Sequence, residues 1–234
     1  MNIRYGYNQI KVTLICITVL IALNGCAAYY PQVVDAPLIK EKGDIRLNSG
    51  MFIAPGDSKS LTGGHATFSA GLTNMIAVQG YVSADFLSNG YAQGALGLFK
   101  AFDNNTVIEL YSGYGVGGGD SQYEDNPYFK NLNYHLPFAQ FNIGKTNVGS
   151  LHIDYGLSLK GGYLYTKYEE YEEPEPFYKE GWMFEPSLFF RLGGRRVKFS
   201  TKVNYQWNRV IEDEIYFPLS VSMGINFSLG KISK

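Results

Sequence analysis

Cysteine is nearly absent from this chain: Cys16 and Cys26 are the only two in 234 residues. Cys16 lies in a stretch expected to be removed, and the one cysteine then left builds neither a disulfide within the chain nor a thiolate metal centre. Histidine is almost as scarce, with His65, His135 and His152 on three separate predicted strands and none at metal-ligand or zinc-protease spacing. An excess of one charge is also missing. The 20 Lys and Arg face 21 Asp and Glu, a formal net charge of −1, so there is no basic field of the kind that holds nucleic acid. Beyond the first 25 residues no apolar run is long enough to cross a membrane as a helix. The glycine-rich stretch at 113–119 lacks the Lys-Ser/Thr ending of a phosphate loop and precedes no helical pattern. No cofactor is expected.

What the chain has instead is alternation. From Leu151 to Thr166 the odd positions carry Leu151, Ile153, Tyr155, Leu157, Leu159, Tyr163 and Tyr165, and the even positions His152, Asp154, Ser158, Lys160 and Thr166. A period of two sends these sets to opposite faces of a strand. The stretch 196–208 repeats it, with Val197, Phe199, Val203, Tyr205 and Trp207 opposing Lys198, Ser200, Lys202, Asn204 and Gln206. So does 217–230, where Phe217, Leu219, Val221, Met223, Ile225, Phe227 and Leu229 oppose serines, Gly224 and Asn226.

Ten such strands are predicted, over 43–53, 60–72, 75–86, 91–102, 106–116, 133–145, 150–167, 181–192, 195–208 and 217–230, with eight as the alternative count. Their connectors sort into two kinds. Thr73-Asn74, Asp103-Asn104-Asn105, Thr146-Asn147-Val148-Gly149 and Gly193-Gly194 are tight-turn sequences. The intervening segments 54–59, 87–90, 117–132, 168–180 and 209–216 are mostly longer. Strict interleaving places all turns on one rim and all loops on the other. This is an antiparallel up-and-down β-barrel of the transmembrane kind, with both chain ends on the turn side.

Bulk decides which face points outward. A ten-stranded lumen cannot hold Trp182, Phe184, Phe190, Phe199, Tyr205, Trp207, Phe217 and Phe227 together, whereas Gly, Ser, Asn and Thr suit a filled interior. The apolar faces therefore belong in lipid. Pro137, Pro186 and Pro218 fall inside predicted strands, near the starts of strands descending from the loop rim, where an unpaired rim position or bulge accepts proline. Aromatics gather at both rims: Tyr114, Tyr163, Tyr165, Trp182, Phe184, Tyr205, Trp207 and Phe217 on the loop side, and Phe102, Phe141, Phe190 and Phe227 on the turn side.

The first 25 residues read as an export signal, with Arg4 and Lys11 ahead of an apolar core. It ends in Leu23-Asn24-Gly25-Cys26, which resembles the lipobox of bacterial lipoproteins; that resemblance implies acylation, palmitate included, at Cys26. Residues 26–42 then form a lipidated periplasmic tether kept extended by Pro31 and Pro37. Residues 43–230 form the barrel and 231–234 a periplasmic tail. Ser222-Met223-Gly224-Ile225-Asn226-Phe227-Ser228-Leu229 resembles the β-signal read by outer-membrane assembly machinery, through Gly224, Phe227 and Leu229, although five residues follow it here. The mature chain is similar to small outer-membrane barrel proteins, in a lipidated branch. The resemblance implies a place in a Gram-negative cell envelope among outer-membrane lipids, with the assembly machinery as a partner.

The inward faces carry Arg46, Asp85, Glu109, Asp154, Lys160, Glu185, Arg191, Lys198 and Lys202. Charges between low-dielectric walls must be paired, so five bases and four acids are expected to form a network filling the barrel. A narrow charged solute path is the alternative. His152, Asp154 and Ser158 share a predicted face, which admits a membrane-embedded lipid-modifying hydrolase as a third reading. The acidic loop around Tyr168, Tyr171 and Tyr178 is a candidate contact surface, with tyrosines as anchors. The expected function is structural or interactive: a non-enzymatic barrel lipoprotein displaying loops 117–132 and 168–180 to an extracellular partner. A soluble ligand-binding barrel on a lipid tether is a further class.

Overall fold

The computed structural model describes residues 34–55, 60–86, 89–119, 131–169, 175–208 and 219–230. Cys26, Tyr171, Pro218, the signal segment and the tail 231–234 lie outside these residues. The strands are β1 (Ile45–Ala54), β2 (Leu61–Gly71), β3 (Ile76–Asp85), β4 (Gly90–Ala101), β5 (Thr106–Gly119), β6 (Asn131–Val148), β7 (Ile153–Glu169), β8 (Phe177–Gly193), β9 (Val197–Tyr205), β10 (Trp207–Asn208) and β11 (Leu219–Ser228). Every neighbouring pair is antiparallel, β1 pairs with both β2 and β11, and β9 pairs with both β8 and β11, so the sheet closes on itself. The eleven segments make ten staves, because the two-residue β10 continues the line of β9 against β8.

Local chemistry explains the breaks and the turns. Between β9 and β10 the interruption falls at Gln206, beside the level of Pro186, whose ring nitrogen has no hydrogen to donate across the β8–β9 seam. Pro137 likewise stands where the β6–β7 ladder, at unchanged register, lacks the pairs between His135–Tyr165 and Phe138–Gly162. Both prolines therefore sit within ladders and not at the rim as expected, each interrupting one seam while the opposite seam stays paired. In the β2–β3 turn the Thr73 hydroxyl accepts from the amides of Met75 (3.1 Å) and Ile76 (2.9 Å). In the β4–β5 turn Asn105 takes a left-handed φ of 63°, which asparagine tolerates.

The walls are unequal in height. β1 has 10 residues, whereas β6, β7 and β8 have 18, 17 and 17. On this tall side the sheet absorbs residues expected in loops. β5 runs to Gly119, and β7 and β8 reach Glu169 and Phe177, so the two large loops shorten at both bases. The turn expected at 146–149 lies instead at 149–152, after a β-bulge between Lys145 and Val148.

At the β1–β11 closure Gly50 and Gly224 face each other in register. A Cβ on Gly224 would stand 2.8 Å from the Gly50 Cα, so the glycine of the assembly-signal resemblance is also the residue that lets the first and last staves meet.

The largest departure from expectation is the segment before β1. The assigned tether at 26–42 is not an external strand over its described part. Val34, Asp35, Ala36, Leu38 and Ile39 are all buried, inside the barrel. Leu38 and Ala36 pack on Val107 and Phe189, and Ile39 on Ala77, Phe99 and Tyr111. A ten-stave lumen is wider than its own small side chains can fill, and the segment occupies the remaining space.

Candidate functional site

The lumen is layered. Its loop-rim half holds an apolar cluster that includes Phe52, Tyr81, Tyr91, Tyr134, Phe138, Leu164 and Tyr168. Rings step around the wall from Phe52 through His65, Tyr81 and Tyr91 to Tyr134, with centroids 5.8–6.5 Å apart. Offset contacts of this kind suit aromatic packing. Beneath the rings lies the polar half, where strand charges meet the N-terminal segment.

All nine ionisable residues singled out from the sequence point inward and are buried. They do not form one continuous network. Arg46 bonds Asp44 (Nη2–Oδ2 3.0 Å) and the Ser228 hydroxyl at the turn rim. Lys198 is ion-paired with Asp154 and donates to Asn147 at 2.8 Å. Glu109 accepts from the Ile39 amide at 2.7 Å and from Asn142 at 2.9 Å. Lys160 lies 3.6 Å from Glu185, donates to Gln93 at 2.7 Å, and stands over the rings of Tyr91 and Phe138. Asp85 serves the loop end, accepting from the Asn89 backbone and side-chain amides.

Arg191 and Lys202 are the exception. Their ion pairs run to Asp35 of the inserted segment, at 3.3 and 2.6 Å. Arg191 also donates to the Ala36 carbonyl. The Asp35 carboxylate accepts from Asn48 at 3.1 Å, and its backbone carbonyl accepts from Gln79 at 3.0 Å and Gln140 at 2.7 Å. One residue thus ties together β1, β3, β6, β8 and β9 across the lumen. Sequence reasoning missed it because a residue in a proline-flanked stretch reads as tether. The one hint was the excess of five lumen bases over four acids, and it does not single out Asp35, since Asp44 already pairs with Arg46.

Other expected placements change. Tyr168 is not a loop anchor: it is the penultimate residue of β7, fully buried, with its ring stacked on Phe177 at 4.8 Å. The alternation of β7 continues past the expected strand end and turns Tyr168 inward. Tyr178 is exposed, on β8. The hydrolase constellation does not assemble. His152 sits in the β6–β7 turn and accepts from Arg195 at 3.1 Å, Asp154 is held by Lys198, and the Ser158 hydroxyl donates to Asn142. The φ of 46° at His152 marks the turn that takes it off the strand face. No group of metal-ligating side chains occurs among the described residues.

The exterior is the inverse of a soluble barrel. Leu98, Leu110, Leu188, Phe199, Val203 and Ile225 are exposed on the outer face while Arg, Lys, Asp and Glu are buried behind them. Tyr114, Tyr165, Trp182 and Trp207 stand exposed on the loop side of this belt, and Phe102, Phe141, Phe190 and Phe227 on the turn side. An apolar band between two aromatic girdles is the outer surface of a transmembrane barrel. Phe227 and Leu229 of the assembly-signal stretch belong to that outer face.

No protein-family model matches the chain, and no curated protein matches it. Among solved structures the chain is similar to Ail, the attachment invasion locus protein of Yersinia pestis, at 12% identity over 80% of this chain and 99% of that one, with a TM-score of 0.31. A superposition this loose supports no transfer of role. The ten-stave barrel rests on the register of its own strands.

Proposed function

We propose that the protein is an outer-membrane barrel lipoprotein with a structural or surface-interaction role, acylated at Cys26 and presenting its loop rim to the outside. The observation that carries this reading is the combination of an apolar exterior with a lumen occupied by the chain's own residues 34–40. A barrel so filled leaves its loops as the surface free to act. Loops 117–132 and 168–180 contain the residues between the tall staves β5–β6 and β7–β8, and are the proposed contact with an extracellular partner. The narrow-pore alternative is disfavoured by Asp35, which closes the mid-lumen against Arg191 and Lys202.

Two measurements test the reading. Purified wild-type protein in planar bilayers is expected to show no large, steady conductance; stable ion-selective channels would replace the scaffold reading with the pore. Cys26→Ala is expected to abolish incorporation of labelled palmitate while the heat-modifiable folded band persists, since the first strand begins only at Ile45. Unchanged label in the mutant would remove the lipoprotein assignment.

A further inference from the structure

The mid-lumen pair Arg191 and Lys202 is unusual in that no strand carboxylate is ion-paired with either among the described residues. Both are essentially inaccessible to solvent. Arg191 retains two guanidinium nitrogens, Nε and Nη1, without a hydrogen-bond partner among the described residues. Two buried cations on adjacent staves repel each other and bear a desolvation cost, unless an anion sits between them. Asp35 supplies that anion from a segment that belongs to no strand. Asn48, Gln79 and Gln140 add amide donors around it. A guanidinium, an ammonium and the Asn48 amide converge on the Asp35 carboxylate and are the components of a carboxylate receptor, while Gln79 and Gln140 hold the backbone carbonyl beside it.

We infer that the barrel carries a carboxylate-binding site formed by Arg191 and Lys202, and that Asp35 is its resident ligand, whose place a small carboxylate can take when the Asp35 side chain is removed. The ligand class is a small carboxylate, or a chain bearing one. At the foot of the same segment a polar cavity of about 430 Å³ opens on the turn rim, lined in part by Lys40, Arg46, Asn147, His152 and Arg195. Its lining is mixed in charge, since Glu41 and Asp44 also face it and Asp44 pairs with Arg46. The segment belongs to no strand and is held by side-chain contacts: Ala36, Leu38 and Ile39 pack against the wall, the Ile39 amide donates to Glu109, and Leu38 holds a left-handed φ of 55° that an unrestrained leucine avoids. This inference goes beyond the scaffold reading and does not depend on lipidation at Cys26.

The test is chemical rescue in the full chain folded into lipid vesicles. Asp35→Ala removes the resident carboxylate and leaves both cations unpaired. Its unfolding temperature is expected to fall below wild type and to rise again, saturably, with sodium acetate, as a ligand that binds only the folded state requires. Sodium chloride at equal ionic strength is expected to give a smaller, non-saturating change. The triple variant Asp35→Ala, Arg191→Gln, Lys202→Gln leaves no buried charge unpaired at the site and is expected to ignore acetate. A folded band of Asp35→Ala that emerges only in acetate supports the site equally. Equal responses to acetate and chloride, the same acetate response in the triple variant, or no folded band of Asp35→Ala in either salt would overturn it.

Discussion

Arg191→Ala is expected to destabilise the barrel by about 3–5 kcal/mol, the loss found when one partner of a buried ion pair is removed. Arg191 is fully buried, and its removal leaves Lys202 as the one ion-pair partner of Asp35 among the described residues and takes away the Arg191 donor to the Ala36 carbonyl. It also uncovers the Phe189 ring on which the guanidinium stacks at 4.8 Å. The measurement is the shift of the urea unfolding midpoint in vesicles. The internal contrast is Lys167→Ala. Lys167 pairs with Glu169 at 2.6 Å, closer than Arg191 to Asp35, but the two side chains are 38% and 36% exposed. Solvent screening reduces such a pair to within about 1 kcal/mol. Similar losses for the two variants would mean that water reaches the mid-lumen freely.

Leu157→Arg is expected to impair assembly severely, by about 2–4 kcal/mol if the position lies near the bilayer midplane. Leu157 stands in register with Ile143 on β6 and Leu188 on β8, both exposed on the outer belt. A guanidinium there has no protein partner within the apolar band. Leu157→Phe keeps the face apolar and is expected to be tolerated. The readout is the fraction of protein in the heat-modifiable folded band. Arg and Phe variants folding equally well would show that this face does not meet lipid.

Much of this architecture is legible in the residues themselves because a strand writes its two faces at alternate positions. Leu157 and Ser158, Phe199 and Ser200, Ile225 and Asn226 are each separated into lipid-facing and lumen-facing members by a period of two that needs no tertiary information. The ten-stave count follows from the same alternation, together with turn sequences such as Thr73-Asn74. Strand ends are less legible. Tyr168 and the glycines at 117–119 look like loop residues, yet the register with Phe177 and Leu132 keeps them in the wall. Cross-strand pairing, and not intrinsic preference, extends the tall side.

The sequence by itself determined the barrel, its outer and inner faces, and the burial of nine charges, since all of these depend on local alternation and on side-chain volume. Only the tertiary structure decided how those charges are satisfied. The ion pair of Lys198 with Asp154 spans 44 positions, and the hydrogen bond of Arg191 to Asp35 spans 156. Separations of that size leave no trace in local pattern. Asp35 enters the lumen because a closed ten-stave ring leaves unfilled space and two unpaired cations at its centre, a condition that exists only once the ring has closed.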